Sequence, residues 1–377
     1  MAADERVERE NASRPSIVLG SAAGPEIELD GARVIYLGGT NYFGMSAHPE
    51  IVGALREAVG LWGISPGGGR TTSGTAAPHL DLEKRMETLL GTESVVLSAS
   101  GYQANSILLE AFRDGFDACL IDELAHSSIR EAIAAAGLPP VVYRHKDVDH
   151  LAALARGIRA DGKRPLVCTD GVFPTDGALA PLDAYLSLAV EYELRILVDD
   201  AHGIGVLGEH GKGTPEHLGL KPADFLYTGS FSKAFGVFGG FASGPANLVE
   251  RKEESGTYVG ATPLPAALAV AARRSVDIVC GDRSLRKRLQ GNAAFVKEGL
   301  RGLGLEFPET PMPIARFLVG NAKRSRALHD ELRRKGILIP FNRYPGGPGG
   351  GYFRLAVSAA HTPGQLEMAL DTLQKLL

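Results

Sequence analysis

Between residues 94 and 198 the chain switches regularly between short apolar runs and longer helical patterns. That alternation limits the folds open to it more than any other feature. Strands are expected at 94–97, 118–121, 141–143, 166–169 and 195–198, with helices at 103–112, 127–136, 148–159 and 182–191. Strands alternating with helical patterns of about ten to fifteen residues form βαβ units and a mostly parallel sheet. Such sheets bind ligands outside the carboxyl ends of their strands, so the residues that follow each strand carry the chemistry.

The rest of the chain frames that sheet. Residues 1–45 hold a polar start and then a hairpin over 26–37, whose turn is Asp30-Gly31, a dipeptide that tight hairpins favour. Residues 46–264 form the large domain. In it a helix opens near Pro49 with Ile51, Leu55 and Val59 inward, and another spans 79–90 with Leu80, Leu82, Met86 and Leu89 inward. Between them, 65–74 holds four glycines, Arg70 and four hydroxyl residues, and is expected close to a ligand or a partner subunit. Residues 265–377 begin with a long helical region, 266–300, and end in a small α+β unit. That unit has strands at 314–319, 337–341 and 352–357, a helix at 322–335, and a last helix opened by Thr362 and Gln365 as a capping box.

Composition excludes several classes. A chain of 377 residues with 44% hydrophobic and 22% charged residues is an ordinary globular protein with room for two cores. A net charge of −4 offers no basic face, so no nucleic-acid partner is expected. No apolar stretch is long enough for a bilayer, and the first ten residues lack a secretory apolar region. Cys119, Cys168 and Cys280 are far apart and form no CxxC pair, which fits reduced thiols in a cytoplasmic protein.

The strand ends are more specific. Ser98-Ala99-Ser100-Gly101-Tyr102 leads from a strand into a helix, and such an N-terminus offers free N–H groups to a phosphate. Read alone, it is better taken as an ordinary βα loop. His126 follows the next strand, placed to stack on a flat ring or to cap a helix. Asp199-Asp200-Ala201-His202 follows the last, and a buried acid there needs a cation or donors. Lys233 lies in Ser230-Phe231-Ser232-Lys233-Ala234-Phe235-Gly236, a dry, small-residue setting in which an amine loses its proton near neutral pH, as Schiff-base chemistry requires. Gly203, Gly205 and Gly208 match G-x-G-x-x-G, but the residues after them, through Pro215, cannot open a helix. A nicotinamide site is therefore not expected. One cofactor accommodates a phosphate cup, a stacking ring, a carboxylate and an amine together: pyridoxal phosphate.

These stretches resemble the α-oxoamine synthases, a family of fold-type I pyridoxal-phosphate transferases with a large, mostly parallel sheet domain and a small C-terminal α+β domain. The similarity extends over Asn41-Tyr42-Phe43-Gly44, the Gly-rich stretch through Arg70, 100–105, 126–128, 170–173, Asp176-Gly177 and Arg354-Leu355. It implies that Lys233 carries the cofactor aldehyde and later moves the α-proton, that Asp199 pairs with the ring nitrogen, and that His202 bonds the ring hydroxyl. It further implies that His126 stacks on the ring and that Ser100, Gly101, Tyr102 and Ser230 surround the phosphate. Thr262 would reach the phosphate of a neighbouring subunit in a homodimer with shared sites. Arg354 would grip the substrate carboxylate as a bidentate fork, and Asn41 would line the substrate pocket. The implied reaction condenses an amino acid with an acyl-CoA thioester, usually with loss of the α-carboxylate; an aminotransferase or racemase on the same scaffold is the alternative. Without the resemblance, His126 and His202 are open between ligand contacts and half-buried core histidines, His145 reads equally as a polar cap, and Arg70 suits phosphate, substrate or dimer packing. Three stretches depart from the family: Pro174 stands in place of a common serine, 345–351 is Gly-rich, and 260–265 differs from the usual Ser/Thr-rich version.

Overall fold

The computed structural model describes residues 17–342 and 350–377; the polar start and most of the 345–351 run lie outside them. β1 (Glu26–Leu29) and β2 (Ala32–Tyr36) pair antiparallel. Asp30 and Gly31 between them both have positive φ, 52° and 77°, as a type I′ turn requires.

Helices α1 (Pro49–Trp62) and α2 (Ala77–Leu90) follow, with their inward faces shifted from expectation. Val59 is exposed and Ala58 buried; Leu80 is 56% exposed, whereas His79, Leu82, Glu83 and Met86 are buried. The polar pair goes inward because both side chains are satisfied there. His79 Nδ1 accepts from the Ala76 N–H at 3.0 Å, and its Nε2 meets the Leu264 carbonyl at 2.7 Å. Glu83 accepts the Leu97 N–H at 3.1 Å and pairs with Arg70 at 3.0 Å. Arg70 is thus held in a buried ion pair within the chain. Apolar periodicity has no way to register a paired buried charge.

The large sheet comprises β3 (Ser94–Ser98), β4 (Ala118–Asp122), β5 (Pro140–Tyr143), β6 (Pro165–Asp170), β7 (Arg195–Asp199), β8 (Leu226–Ser230) and β9 (Gly240–Gly244), ordered β3-β9-β8-β7-β6-β4-β5. Only the pairs that include β9 are antiparallel. The other six strands run one way and end at one edge. Helices α3 (Gly101–Ala111), α4 (Ser127–Ala135), α5 (Val148–Ala160) and α6 (Leu182–Glu191) connect them. β3, β4, β6 and β8 are buried along their whole length, which is why they read as near-continuous apolar runs.

The long helical region divides into α7 (Ala266–Gly281) and α8 (Arg283–Gly302). Asp282 leaves helical geometry, and its carboxylate accepts the Ser284 N–H at 2.8 Å, capping the second helix. Beyond β10 (Ile314–Phe317) and α9 (Ala322–Arg334), the strand expected over 337–341 is two strands in different sheets. β11 (Ile337–Leu338) joins β2 in parallel, while β12 (Phe341–Asn342) pairs with β13 (Tyr352–Ala356), which also pairs with β10. Pro340 lies between the two and cannot donate to a ladder, so the chain changes sheet there. The last helix, α10 (Pro363–Leu376), starts on the expected capping box. No helix among the described residues is long and apolar enough to cross a membrane.

Residues 201–210 are turns and bends, and their glycines serve a different purpose from a dinucleotide loop. A Cβ on Gly203 would lie 2.2 Å from the Asp200 carboxylate; on Gly171 and Gly213 it would meet the same group at 2.4 and 2.0 Å. The chain wraps this acid so closely that no side chain fits. Asp200 accepts from the Thr214 N–H (2.7 Å), the Thr214 hydroxyl (2.6 Å) and the Tyr227 hydroxyl (2.8 Å). Burial outweighs these donors and pushes the acid up to about 7. The folded form keeps a proton that the unfolded chain releases near pH 4. The stabilising contribution of this acid is therefore complete below about pH 4 and lost as pH rises through about 7, up to roughly 4 kcal/mol in all. Thermal melts of wild type and Asp200→Asn should diverge progressively across that window; a constant difference would contradict the assignment.

Candidate active site

Strand ends at one edge of the sheet bring the expected residues together. β6 and β7 finish side by side, with Asp170 opposite Asp199. β3 and β8 flank β9, which places Ser98 and Ser230 either side of Gly240. A Cβ on Gly240 would lie 2.4 Å from the Gly101 nitrogen, and one on Gly101 would lie 2.7 Å from Ser230 Cβ. Glycine at both positions lets the start of α3 press against the end of β8. The N-cap of α3, Ser100, makes no side-chain cap hydrogen bond, and the start of this helix borders the cavity.

A cavity of about 180 Å³ lies at this edge. Ser100, Gly101 and Tyr102 form one side of it, Ser230 and Lys233 another, and Asp199, His202 and His126 the rest. Asp199 Oδ1 accepts the Ala201 N–H at 3.1 Å and Oδ2 accepts from Asn105 Nδ2 at 2.7 Å. Burial lowers the pKa of Lys233, opposed by Asp199 and Asp170. Burial holds His202 well below the usual histidine range, reinforced by Lys233, Arg354 and His126, so its ring is neutral. Tyr42 bonds His202 Nδ1 at 2.8 Å. Burial raises the pKa of the Tyr42 hydroxyl, opposed by the Arg354 guanidinium nearby. Asp170 is pushed well above the carboxylate range, by burial first and Asp199 second, and its Oδ2 accepts the His126 N–H at 2.8 Å.

A second cavity of about 250 Å³ shares His126 and His202 with the first and is bounded by Thr40, Pro174, Thr175 and Arg354, among others. Arg354 is buried in β13; its Nε donates to the Pro174 carbonyl at 2.7 Å and Nη1 to the Gly39 carbonyl at 3.3 Å. A larger open groove of about 630 Å³, beside Phe307 and Arg316, contains none of the expected site residues.

Two expected residues stand elsewhere. Asn41 spends its amide on the Ala23 carbonyl ahead of β1 (2.9 Å) and on Ser46 Oγ (2.8 Å), and Thr40 lines the cavity. Thr262 is exposed and does not line the cavity of its own chain. His145 fastens a loop, bonding Asp122 at 2.9 Å with its ring edge-on to Phe173. Sequence reasoning assigned no role to Tyr42, Asn105, Ser128 or Asp170. Asp170 closes a strand and could have been found by the strand-end rule. Tyr42 touches the site only through a contact with no local signal.

The aminotransferase class I and II family matches residues 32–373 of the chain. The 8-amino-7-oxononanoate synthase of Thermosipho melanesiensis is 35% identical over 360 residues, covering 95% of this chain and 92% of its own. That of Nitrosococcus oceani is 35% identical over 363 residues, covering 96% of each. Among solved structures, the Sphingomonas wittichii serine palmitoyltransferase superposes with a TM-score of 0.92 at 27% identity, covering all of this chain and 96% of that one. A structure of SPT with a PLP internal aldimine gives 0.92 at 26% identity with the same coverage. Since relatives at this identity extend over nearly the whole length, and the folds superpose throughout, the chain belongs to the α-oxoamine synthase family of fold-type I pyridoxal-phosphate enzymes.

Proposed function

We propose that this protein is a pyridoxal-phosphate-dependent C-acyltransferase that condenses an amino acid with an acyl-CoA thioester to give an α-amino ketone. The observation that carries this reading is the pair of joined cavities, one holding Lys233 and Asp199, the other Arg354. The residues present suit the cofactor: a helix start with no side-chain cap and Ser230 for the phosphate, Asp199 for the ring nitrogen, and His202 for the ring hydroxyl. His126 lies where a ring contact is needed. When bound, pyridoxal phosphate supplies an electron sink for the pair left on the α-carbon.

The protein's own groups do the rest. Arg354 binds the amino-acid carboxylate and orients the α-carbon. Lys233 Nζ, with its pKa lowered by burial, takes the α-proton. A C–C bond then forms to the thioester carbonyl while the C–S bond breaks, and CoA leaves as a thiolate that takes a proton from solvent. The α-carboxylate leaves as carbon dioxide, and the Lys233 ammonium returns its proton to the electron pair left on the α-carbon. Pro174 has no hydroxyl, and its carbonyl instead anchors Arg354, which supports a fixed carboxylate grip.

Amino acids assayed with short and long acyl-CoAs should release CoA stoichiometrically with consumption of the amino acid. Keto-acid formation without CoA release would favour an aminotransferase instead. We further infer a homodimer in which Thr262 reaches the neighbouring site. The exposed apolar Leu61 and Ile64, just before the Gly-rich stretch, support a covered surface there. Sedimentation at the mass of a single 39.8 kDa chain would remove that inference.

A further inference from the structure

The fully buried amide of Asn105, on α3, touches both sides of the cavity floor. Its Oδ1 accepts from Thr228 Oγ1 at 2.7 Å, and its Nδ2 donates to Asp199 Oδ2 at 2.7 Å and to Ser128 Oγ at 3.0 Å. A carboxylate only accepts, so the amide nitrogen must face Asp199; the threonine hydroxyl then donates to the other end. Every donor and acceptor of the amide is used in this one orientation. Turned over, it would set a carbonyl oxygen against the acid and leave Thr228 facing hydrogens. Ser128 passes the order on. Having accepted from Asn105, its hydroxyl can donate to His126 Nδ1 at 2.7 Å, the nitrogen that also receives the Ser128 N–H at 3.2 Å. The His126 proton is thereby placed on Nε2, and His126 borders both cavities.

We propose that Asn105 is a positioning residue for Asp199. Its amide and the Ala201 N–H hold one carboxylate oxygen each, Thr228 fixes which end of the amide faces the acid, and Ser128 ties His126 to the same frame. Buried networks of this kind rigidify only when every member is satisfied, as here. The inference rests on the assignment of Asp199 to the cofactor made above.

The test is a double-mutant cycle read by the dissociation constant of pyridoxal phosphate. Asn105→Ala should weaken cofactor binding roughly tenfold to a hundredfold, the usual range for losing a buried hydrogen bond to a charged group. It should lower kcat while leaving the amino-acid KM nearly unchanged. In an Asp199→Ala background the same substitution should have no further effect, because the group it positions is gone. If Asn105→Ala does not fold, Thr228→Val carries the same cycle, with Thr228→Ser restoring wild-type affinity. A merely structural amide would lower the melting temperature and weaken binding equally in both backgrounds, which would overturn the proposal. Cofactor affinity unchanged by Asn105→Ala would overturn it too. Wild-type protein that binds no pyridoxal phosphate would instead sink the functional assignment, so the two failures are distinguishable.

Discussion

Lys233→Ala should cut turnover by roughly 10³-fold or more, the upper part of the range for a positioned acid–base group, while the protein still binds pyridoxal phosphate. The separation of the two effects follows from the layout of the cavity. The helix start at Gly101, Ser230, Asp199 and His202 all remain, so the contacts that hold the cofactor survive. What disappears is an amine that lines the cavity and that burial has made easier to deprotonate. Lysine is also the one residue there able to form a reversible covalent link to an aldehyde. Borohydride reduction of wild type followed by peptide mapping should place the label on Lys233 and yield none in the variant. A label elsewhere, or turnover within about tenfold of wild type, would remove Lys233 from the centre of the mechanism.

The second large effect is expected at Asp199. Asp199→Asn keeps the size of the side chain but removes the negative charge, and its amide nitrogen can no longer accept from one of the two donors, the Ala201 N–H or Asn105. Loss of a preorganised charge at a developing transition state costs roughly 10²- to 10³-fold in kcat. KM should move little, because the substrate-carboxylate contact proposed above is Arg354 and not Asp199. Asp199→Glu restores the charge but overreaches by a methylene, and should fall between the two. Steady-state kinetics on the three proteins decide the point; an Asp199→Asn enzyme with wild-type kcat would show that this acid does not work through charge.

Much of this site could be read from the chain because it is made of short-range signals. A strand that ends in Asp199, a loop that opens a helix at Gly101, and a lysine just after two serines are each contained in a few residues. The sheet supplies the reason they converge, since parallel strands end at a common edge. Misreadings occurred where packing overruled pattern. Leu80 lies outward because the ion pair of Arg70 with Glu83 and the doubly bonded His79 take the inward face. The 337–341 run is apolar enough for one strand, yet Pro340 divides it between two sheets.

Left to itself, the sequence determined the alternating architecture, the chemistry at the strand ends and the family to which they belong, because periodicity and short motifs act over a few residues. Only the tertiary structure decided how those groups are aimed. Tyr42 meets His202 across 160 positions, Asn105 reaches Asp199 across 94, and Arg354 is anchored on the Pro174 carbonyl across 180. Contacts at that separation arise from the closing of the whole chain on itself, and no local pattern encodes which donor will face which acceptor.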